Sequence, residues 1–216
     1  MKIMLKFNNM SWQYTVGLSV IEVNEESLKK TGFSYKKVVV GEAVQKAISE
    51  CMGAEYKNPS SMRLDAPHAF SCSSLISYIF TKAGVWMPSL SVDKYVFGKA
   101  VEKNELQFGD LVFSNTGEGR IYYETVEYLP GTKVPEGVDH AGIYLGNGEV
   151  LHSSDSIGEV GLEKIDKAKN FKHIVGFRRV CDLNEERFVV NIPNDRSELM
   201  NREAFLKEIQ KYESHS

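Results

Sequence analysis

Two apolar runs, at 141–145 and 150–153, are separated only by Gly146-Asn147-Gly148, residues that readily take positive φ. Strands joined this tightly must run antiparallel, because a parallel pair needs a crossover of a dozen residues or more. The register of this hairpin decides where two histidines point. A two-residue Asn147-Gly148 turn pairs Ile143 with His152 and puts His140 and His152 on opposite faces. A three-residue Gly146-Asn147-Gly148 loop, with Gly148 left-handed in a bulge, pairs Gly142 with His152 and Ile143 with Leu151. That second register sets His140 and His152 on one face and buries apolar against apolar, so it is preferred.

A helix precedes the sheet. Cys72, Leu75, Ile76, Ile79, Phe80 and Ala83 fall on one helical stripe, with Ser71 as N-cap and Gly84 as stop. A second helix is expected over 42–52, from the spacing of Ala43, Val44, Ala47, Ile48 and Cys51. Residues 56–70 carry Pro59, Pro67 and several Ser and Asn, and read as a loop. Further strands are expected at 111–113 and 174–179. Helices followed by an antiparallel meander predict an α+β fold, not a doubly wound parallel one. The flanks read as extensions. Residues 1–40 are β-rich, with alternation over 15–23. Residues 182–216 end in an amphipathic helix over 197–212, whose apolar side (Leu199, Phe205, Leu206, Ile209) is expected to close over the core. The body between them, 41–181, carries a long insertion at 116–139.

With 216 residues and 42% of them hydrophobic, the chain can bury a sizeable core. A formal net charge of −3 offers no basic excess for nucleic acid, and no apolar run is long enough to span a bilayer. The first residues, Met1-Lys2-Ile3-Met4-Leu5-Lys6, lack the unbroken apolar stretch of a secretory signal. The expectation is a cytoplasmic chain, unless a leader has been removed or export follows another route. Cys51, Cys72 and Cys181 have no metal-ligand spacing, so zinc is not expected, and all three are expected to be reduced.

Cys72 stands in the first turn of its helix, where unpaired N–H groups and the helix dipole favour thiolate over thiol. A thiolate attacks acyl carbon, and the backbone N–H of Cys72 is free to face the oxyanion that forms. Alone, the position equally suits a small buried hydrophobe. The hairpin shifts the balance: His140 can take the thiol proton while His152 orients the ring of His140 through its far nitrogen.

The segment Phe70-Ser71-Cys72-Ser73-Ser74-Leu75-Ile76 resembles the nucleophile helix of the NlpC/p60-like cell-wall cysteine peptidases, which usually read Phe-Asp-Cys-Ser-Gly-Leu there. Leu106-Gln107-Phe108-Gly109-Asp110-Leu111-Val112-Phe113 is similar to the family's Leu-Gln-Pro-Gly-Asp-Leu-Val-Phe strand. Val138-Asp139-His140-Ala141-Gly142-Ile143-Tyr144-Leu145-Gly146-Asn147-Gly148 and Leu151-His152-Ser153 are similar to its histidine segments. Four such matches in order over about residues 41–180 are far more specific than any one. The resemblance implies a papain-like fold with Cys72 as nucleophile, His140 as base and His152 as the third polar residue. It implies Tyr56 as a cleft residue, with Ser71 and Ser73 as further substrate-binding candidates, and no cofactor. The implied substrate is a peptide, typically a peptidoglycan stem. Ser71 replaces the family's Asp, a residue that in many members holds a free amino terminus, and Ser74 replaces its Gly. An amidase, isopeptidase or acyltransferase on a non-murein substrate therefore stays open, as does a binding module that has lost turnover.

Other polar residues read as structural. His68 and His173 are surface positions, and Asp110 makes a turn. Asp139 points away from the His140 imidazole because neighbours on a strand face opposite ways. Cys51 belongs to the core, Cys181 is structural, and 163–172 is a solvated turn or short helix. The insertion, with Tyr122, Tyr123 and Tyr128, either walls the cleft or forms a solvated hairpin.

Overall fold

The computed structural model describes residues 2–6, 21–22, 25–62, 64–191, 194–200 and 202–213. The chain runs β1 (Lys2–Lys6), β2 (Ile21–Glu22), α1 (Glu25–Lys30), β3 (Ser34–Val39), α2 (Val40–Cys51), β4 (Glu55–Tyr56), β5 (Ala69–Phe70) and α3 (Cys72–Lys82). It continues through α4 (Ser91–Phe97), β6 (Lys99–Val101), β7 (Leu111–Ser114), β8 (Tyr122–Glu124), β9 (Lys133–Val138), β10 (His140–Gly146) and β11 (Glu149–Ser153). It closes with β12 (Val160–Lys164), β13 (Ile174–Arg179), β14 (Glu186–Asn191) and α5 (Arg202–Glu213). No described helix is long and apolar enough to cross a membrane.

The central sheet has the order β12-β11-β10-β7-β13-β6 and every pairing in it is antiparallel. The α+β reading holds. Helix α3 is the centre of the molecule. Its expected stripe is buried, but so are Ser77, Tyr78 and Thr81 on its flanks. A helix enclosed on nearly all sides lies between the sheet and a second helix, here α2, whose Val44, Ala47, Ile48 and Cys51 share the main core with Leu75, Ile76, Ile79 and Phe80. The α2 helix starts two residues earlier than its periodicity predicts and has no side-chain cap. Its free amides are satisfied from elsewhere: Val40 donates to the Glu185 carbonyl and Gly41 to that of Leu183.

The two flanks fold together. Strand β14 pairs in parallel with β1 and antiparallel with β3, giving a second sheet of order β2-β1-β14-β3. Its core joins Leu28 and Phe33 from one end of the chain to Phe188, Val190, Leu199, Phe205 and Ile209 from the other. The C-terminal helix thus closes this second core rather than the main one. Of the alternating stretch expected at 15–23, residues 15–20 and Val23 lie outside the described residues, as does the side chain of Leu206.

The hairpin adopts the preferred pairing by a different route. Ile143 pairs with Leu151 and Tyr144 with Val150, but Gly146 pairs with Glu149. The turn itself is the two-residue Asn147-Gly148, both at positive φ. The extra residue is Leu145, bulged one step into the strand, and that bulge brings the histidines onto one face. Beneath it, the Asp110 carboxylate is almost fully buried and is paired by the Arg179 guanidinium at 2.7 and 2.8 Å. It also accepts from the Gln107 amide, so Asp110 holds the turn before β7 as its position suggests.

Candidate active site

Ser71 caps α3 through a reciprocal capping box. Its hydroxyl accepts from the Ser74 amide, and the Ser74 hydroxyl accepts from the Ser71 amide at 3.0 Å. The two departures from the family pattern therefore work as a pair. Cys72 occupies the first helical position and keeps part of its surface open to a cleft of about 240 Å³. Tyr56, Asn58, His140, Ser154 and Asp155 line the same cleft. So do Thr116, Glu118 and Gly119 from the insertion. Ser71 and Ser73 lie elsewhere, lining a neighbouring pocket with Ser60, Ser74, Ser77 and Ser89.

The sulfur donates to the Asp139 carbonyl at 3.9 Å, and no hydrogen bond joins it to the His140 ring. Burial pushes the Cys72 thiol above its ordinary pKa, against the pull of the Ala141 amide, the Lys94 ammonium, the Ser91 hydroxyl and the Ser73 amide. This corrects the expected thiolate. The loss of water around the sulfur is the largest influence on it and outweighs the neighbouring amides, hydroxyl and ammonium together.

The two imidazoles form one unit. His140 Nε2 and His152 Nδ1 are 3.0 Å apart, with the rings perpendicular. His140 is 6% exposed and His152 fully buried. Phe171 packs edge-on against both, each at 5.2 Å between centroids. Burial, then the charge of His152, pulls the His140 pKa down to about 3. Burial also lowers that of His152, although Glu163 opposes the shift. At neutral pH the resting site accordingly holds a thiol and neutral imidazoles.

Residues 163–172, expected as a solvated turn or short helix, do contain a short 3₁₀ helix at Lys169–Phe171, but the segment is more than a solvated connection. Glu163 lies on β12, where its carboxylate meets His152 Nε2 at 2.8 Å, and Asn170 and Phe171 are buried. The sequence hid this strand because Leu162 is exposed while Gly161 is buried, so its apolar alternation is broken. The insertion is not a free hairpin either. Its base lines the cleft, and its tip is held by α4. The Asp93 carboxylate accepts from the amides of Val126, Glu127 and Tyr128 at 2.7–3.1 Å. The tip answers through the Glu127 carboxylate, which accepts from the Ser89 amide and hydroxyl.

Lys94, fully buried beside α3, donates to the Ser73 hydroxyl at 2.7 Å and the Ser89 carbonyl at 2.6 Å. Burial lowers its pKa to about 7, against the attraction of Cys72, Glu127 and Asp93. Ser73 also donates to the Ser89 carbonyl, so its hydroxyl is already engaged within the chain. Nothing in the sequence spacing marks Lys94 or Asp93, because both are polar positions that only the fold encloses.

The remaining residues are placed simply. His68 is exposed, and His173 is exposed beside Glu136. Asp139 turns its carboxylate to Thr116 and Gly119, away from the imidazole. All three cysteines are free, and burial pushes Cys51 and Cys181 up to about 12. Among the described residues, no group of three or more His, Cys, Asp or Glu side chains is placed to hold a metal ion.

Gly142 fixes how closely the sheet approaches the ring cluster. A Cβ there would lie 2.6 Å from Val150 Cγ2, 2.9 Å from the Leu151 carbonyl and 3.0 Å from Phe171 Cζ. Gly142→Ala is expected to destabilise the chain by about 1–3 kcal/mol through overpacking. It should also displace Phe171 from the imidazoles. Thermal melts together with histidine ring NMR shifts test this, and a variant unchanged in both would refute the close packing.

The NlpC/P60 family matches residues 60–179. The chain is 31% identical over 116 residues to the "Probable endopeptidase p60" of Listeria seeligeri, covering 54% of this chain and 18% of that one. It is 34% identical over 99 residues to "Peptidoglycan endopeptidase RipB" of Mycobacterium tuberculosis, covering 46% and 33%. It is 30% identical over 113 residues to "Bifunctional muramidase/DL-endopeptidase CwlT" of Bacillus subtilis, covering 51% and 29%. The chain thus spans a third or less of the length of these relatives. An NlpC/P60 family protein from Bacillus cereus shares the fold, with a TM-score of 0.52 at 22% identity over 66% of this chain and 40% of that one. An NLP/P60-family protein similar to a lipoprotein, from Staphylococcus aureus, does so at TM-score 0.50 and 24% identity, over 66% and 42%.

Proposed function

The chain belongs to the NlpC/P60 family, and from that premise we propose that it is a cysteine hydrolase cleaving an amide bond in peptidoglycan-derived stem peptides. The observation that carries this reading is the opening of Cys72 and His140 into one cleft, with the Nε2 of His140 already held by His152. That bond leaves His140 Nδ1 to serve the sulfur. The reaction requires the thiol to turn from the Asp139 carbonyl toward that nitrogen, a tightening common when substrate binds.

The mechanism starts from neutral partners. As Sγ bonds to the carbonyl carbon, its proton passes to His140 Nδ1. The carbonyl oxygen takes the negative charge and faces the Cys72 backbone N–H at the helix start. The C–N bond then breaks, the leaving amine takes the proton from Nδ1, and an acyl-enzyme remains on Cys72. Water, deprotonated by the same imidazole, releases the acid and restores the thiol. Tyr56 and the Thr116–Gly119 base of the insertion wall the cleft beside the sulfur and are the proposed substrate contacts.

One observation favours a second substrate class. With the Ser71 hydroxyl engaged in the helix cap, no carboxylate stands at that position to pair with an ammonium. A non-murein amide substrate fits this arrangement. Digesting purified sacculi and synthetic stem peptides, then reading the products by mass spectrometry, separates the two. Cleavage between D-glutamate and the diamino acid is expected. Intact sacculi together with a reactive Cys72 would move the activity to a non-murein amide. If Cys72 is also inert, the chain is a binding module.

A further inference from the structure

The geometry points to Glu163 as a positioning residue that sets the proton arrangement of both histidines and so leaves His140 Nδ1 bare to act as the base. This rests on the catalytic reading of Cys72 and His140.

The inference comes from following protons along the chain of contacts. A carboxylate only accepts hydrogen bonds. Glu163 Oε2 lies 2.8 Å from His152 Nε2, so that nitrogen carries the hydrogen. A neutral imidazole has one hydrogen, which leaves His152 Nδ1 as an acceptor. That atom is 3.0 Å from His140 Nε2, which must then be the donor. The single hydrogen of His140 is thereby fixed on Nε2 and its Nδ1 is left unprotonated. Three groups on three neighbouring strands thus determine one atom's protonation, two hydrogen bonds away from the carboxylate.

Among the described residues, no other carboxylate is hydrogen-bonded to either ring. Phe171 covers both imidazoles and offers no acceptor. Asp139, though next to His140 in sequence, turns its carboxylate to Thr116 and Gly119. Without Glu163, His152 could place its hydrogen on Nδ1. His140 Nε2 would then become the acceptor, and its Nδ1 would carry the hydrogen and lose its capacity as a base. The same carboxylate stabilises the imidazolium formed when His140 takes the thiol proton, through the polarised His152 ring. Its side chain is 27% exposed, so the negative charge stays partly solvated while its partner is fully buried.

The test uses the full chain with ¹⁵N-labelled histidine and follows iodoacetamide alkylation, with Cys72→Ala supplying the background from Cys51 and Cys181. In the native chain, both rings should show a protonated Nε2 and a bare Nδ1. Glu163→Ala is expected to shift both ring patterns toward protonated Nδ1 and to slow Cys72 alkylation at neutral pH about 10- to 100-fold. Glu163→Gln still offers an acceptor oxygen, so it should keep the native ring pattern and recover most of the rate. A Glu163→Ala protein with unchanged ring shifts overturns the proposal, and so does a Glu163→Gln protein with displaced ones. Hydrolysis that survives Cys72→Ala would instead strike the catalytic reading and leave the ring assignments standing.

Discussion

Replacing Cys72 with alanine is expected to reduce stem-peptide hydrolysis by at least about 10⁴-fold while leaving the fold intact. The asymmetry follows from where the sulfur sits. It is the proposed site of covalent attack, yet the hydrogen bond its thiol donates is weak, at 3.9 Å to the Asp139 carbonyl. Alanine is a good helix former and leaves the Ser71–Ser74 cap untouched. The melting temperature should shift by only a few degrees, corresponding to about 1 kcal/mol. Turnover measured by mass spectrometry beside a thermal melt checks both halves. A Cys72→Ala protein that still cleaves would remove the thiol from the mechanism altogether.

The second large effect is a loss of stability in acid. The unfolded His140 imidazole takes a proton near pH 6.5, whereas in the folded chain burial delays this to about 3. Between those values the unfolded state binds more protons than the native one, so stability rises with pH and falls on acidification. The contribution is fully present above about 6.5 and disappears progressively down to about 3. At most it amounts to roughly 4–5 kcal/mol, and His152 shifts in the same direction. Urea unfolding at a series of pH values should show this slope, and a buried apolar residue at 140, as in His140→Phe, should flatten it. An equally steep slope in that variant would mean other groups cause it. The same shifts bear on reactivity. Because burial raises the thiol and lowers the imidazole, Cys72 alkylation should keep climbing with pH through neutrality instead of levelling off as an ion pair would.

Much of the fold could be read from short stretches of chain, because its signals are local. Ser71, the apolar stripe of α3 and Gly84 together specify a helix from one cap to the other. Asn147-Gly148 specifies a turn that few other sequences could make. The hairpin shows where local reading stops. The correct pairing of Ile143 with Leu151 followed from the burial of apolar side chains, but the turn chosen to produce it was not the one adopted. The bulge at Leu145 gives the same register at a different residue, and only the packing of β10 against both neighbours selects between them.

The candidate site divides in the same way. Cys72, His140 and His152 were named from helix position, hairpin face and family resemblance. Glu163, Phe171 and Lys94 were not, and neither was the embrace of the insertion by Asp93. Each acts through a partner distant in sequence or on another strand, and none lies in a periodic apolar pattern. The ionisation of Cys72 differs from the sequence expectation for a related reason. A helix dipole follows from sequence position, whereas desolvation depends on how many neighbours close around the atom.

The amino-acid order by itself determined the helix that carries Cys72, the antiparallel hairpin, the α+β class and the family, because these depend on contacts between near neighbours and on ordered motifs. The tertiary structure alone decided the joining of the two flanks into one sheet, the carboxylate behind His152 and the neutral resting state of the site. Those depend on the enclosure of polar groups by segments far apart in the chain, and enclosure is what sets the free energy of a charge.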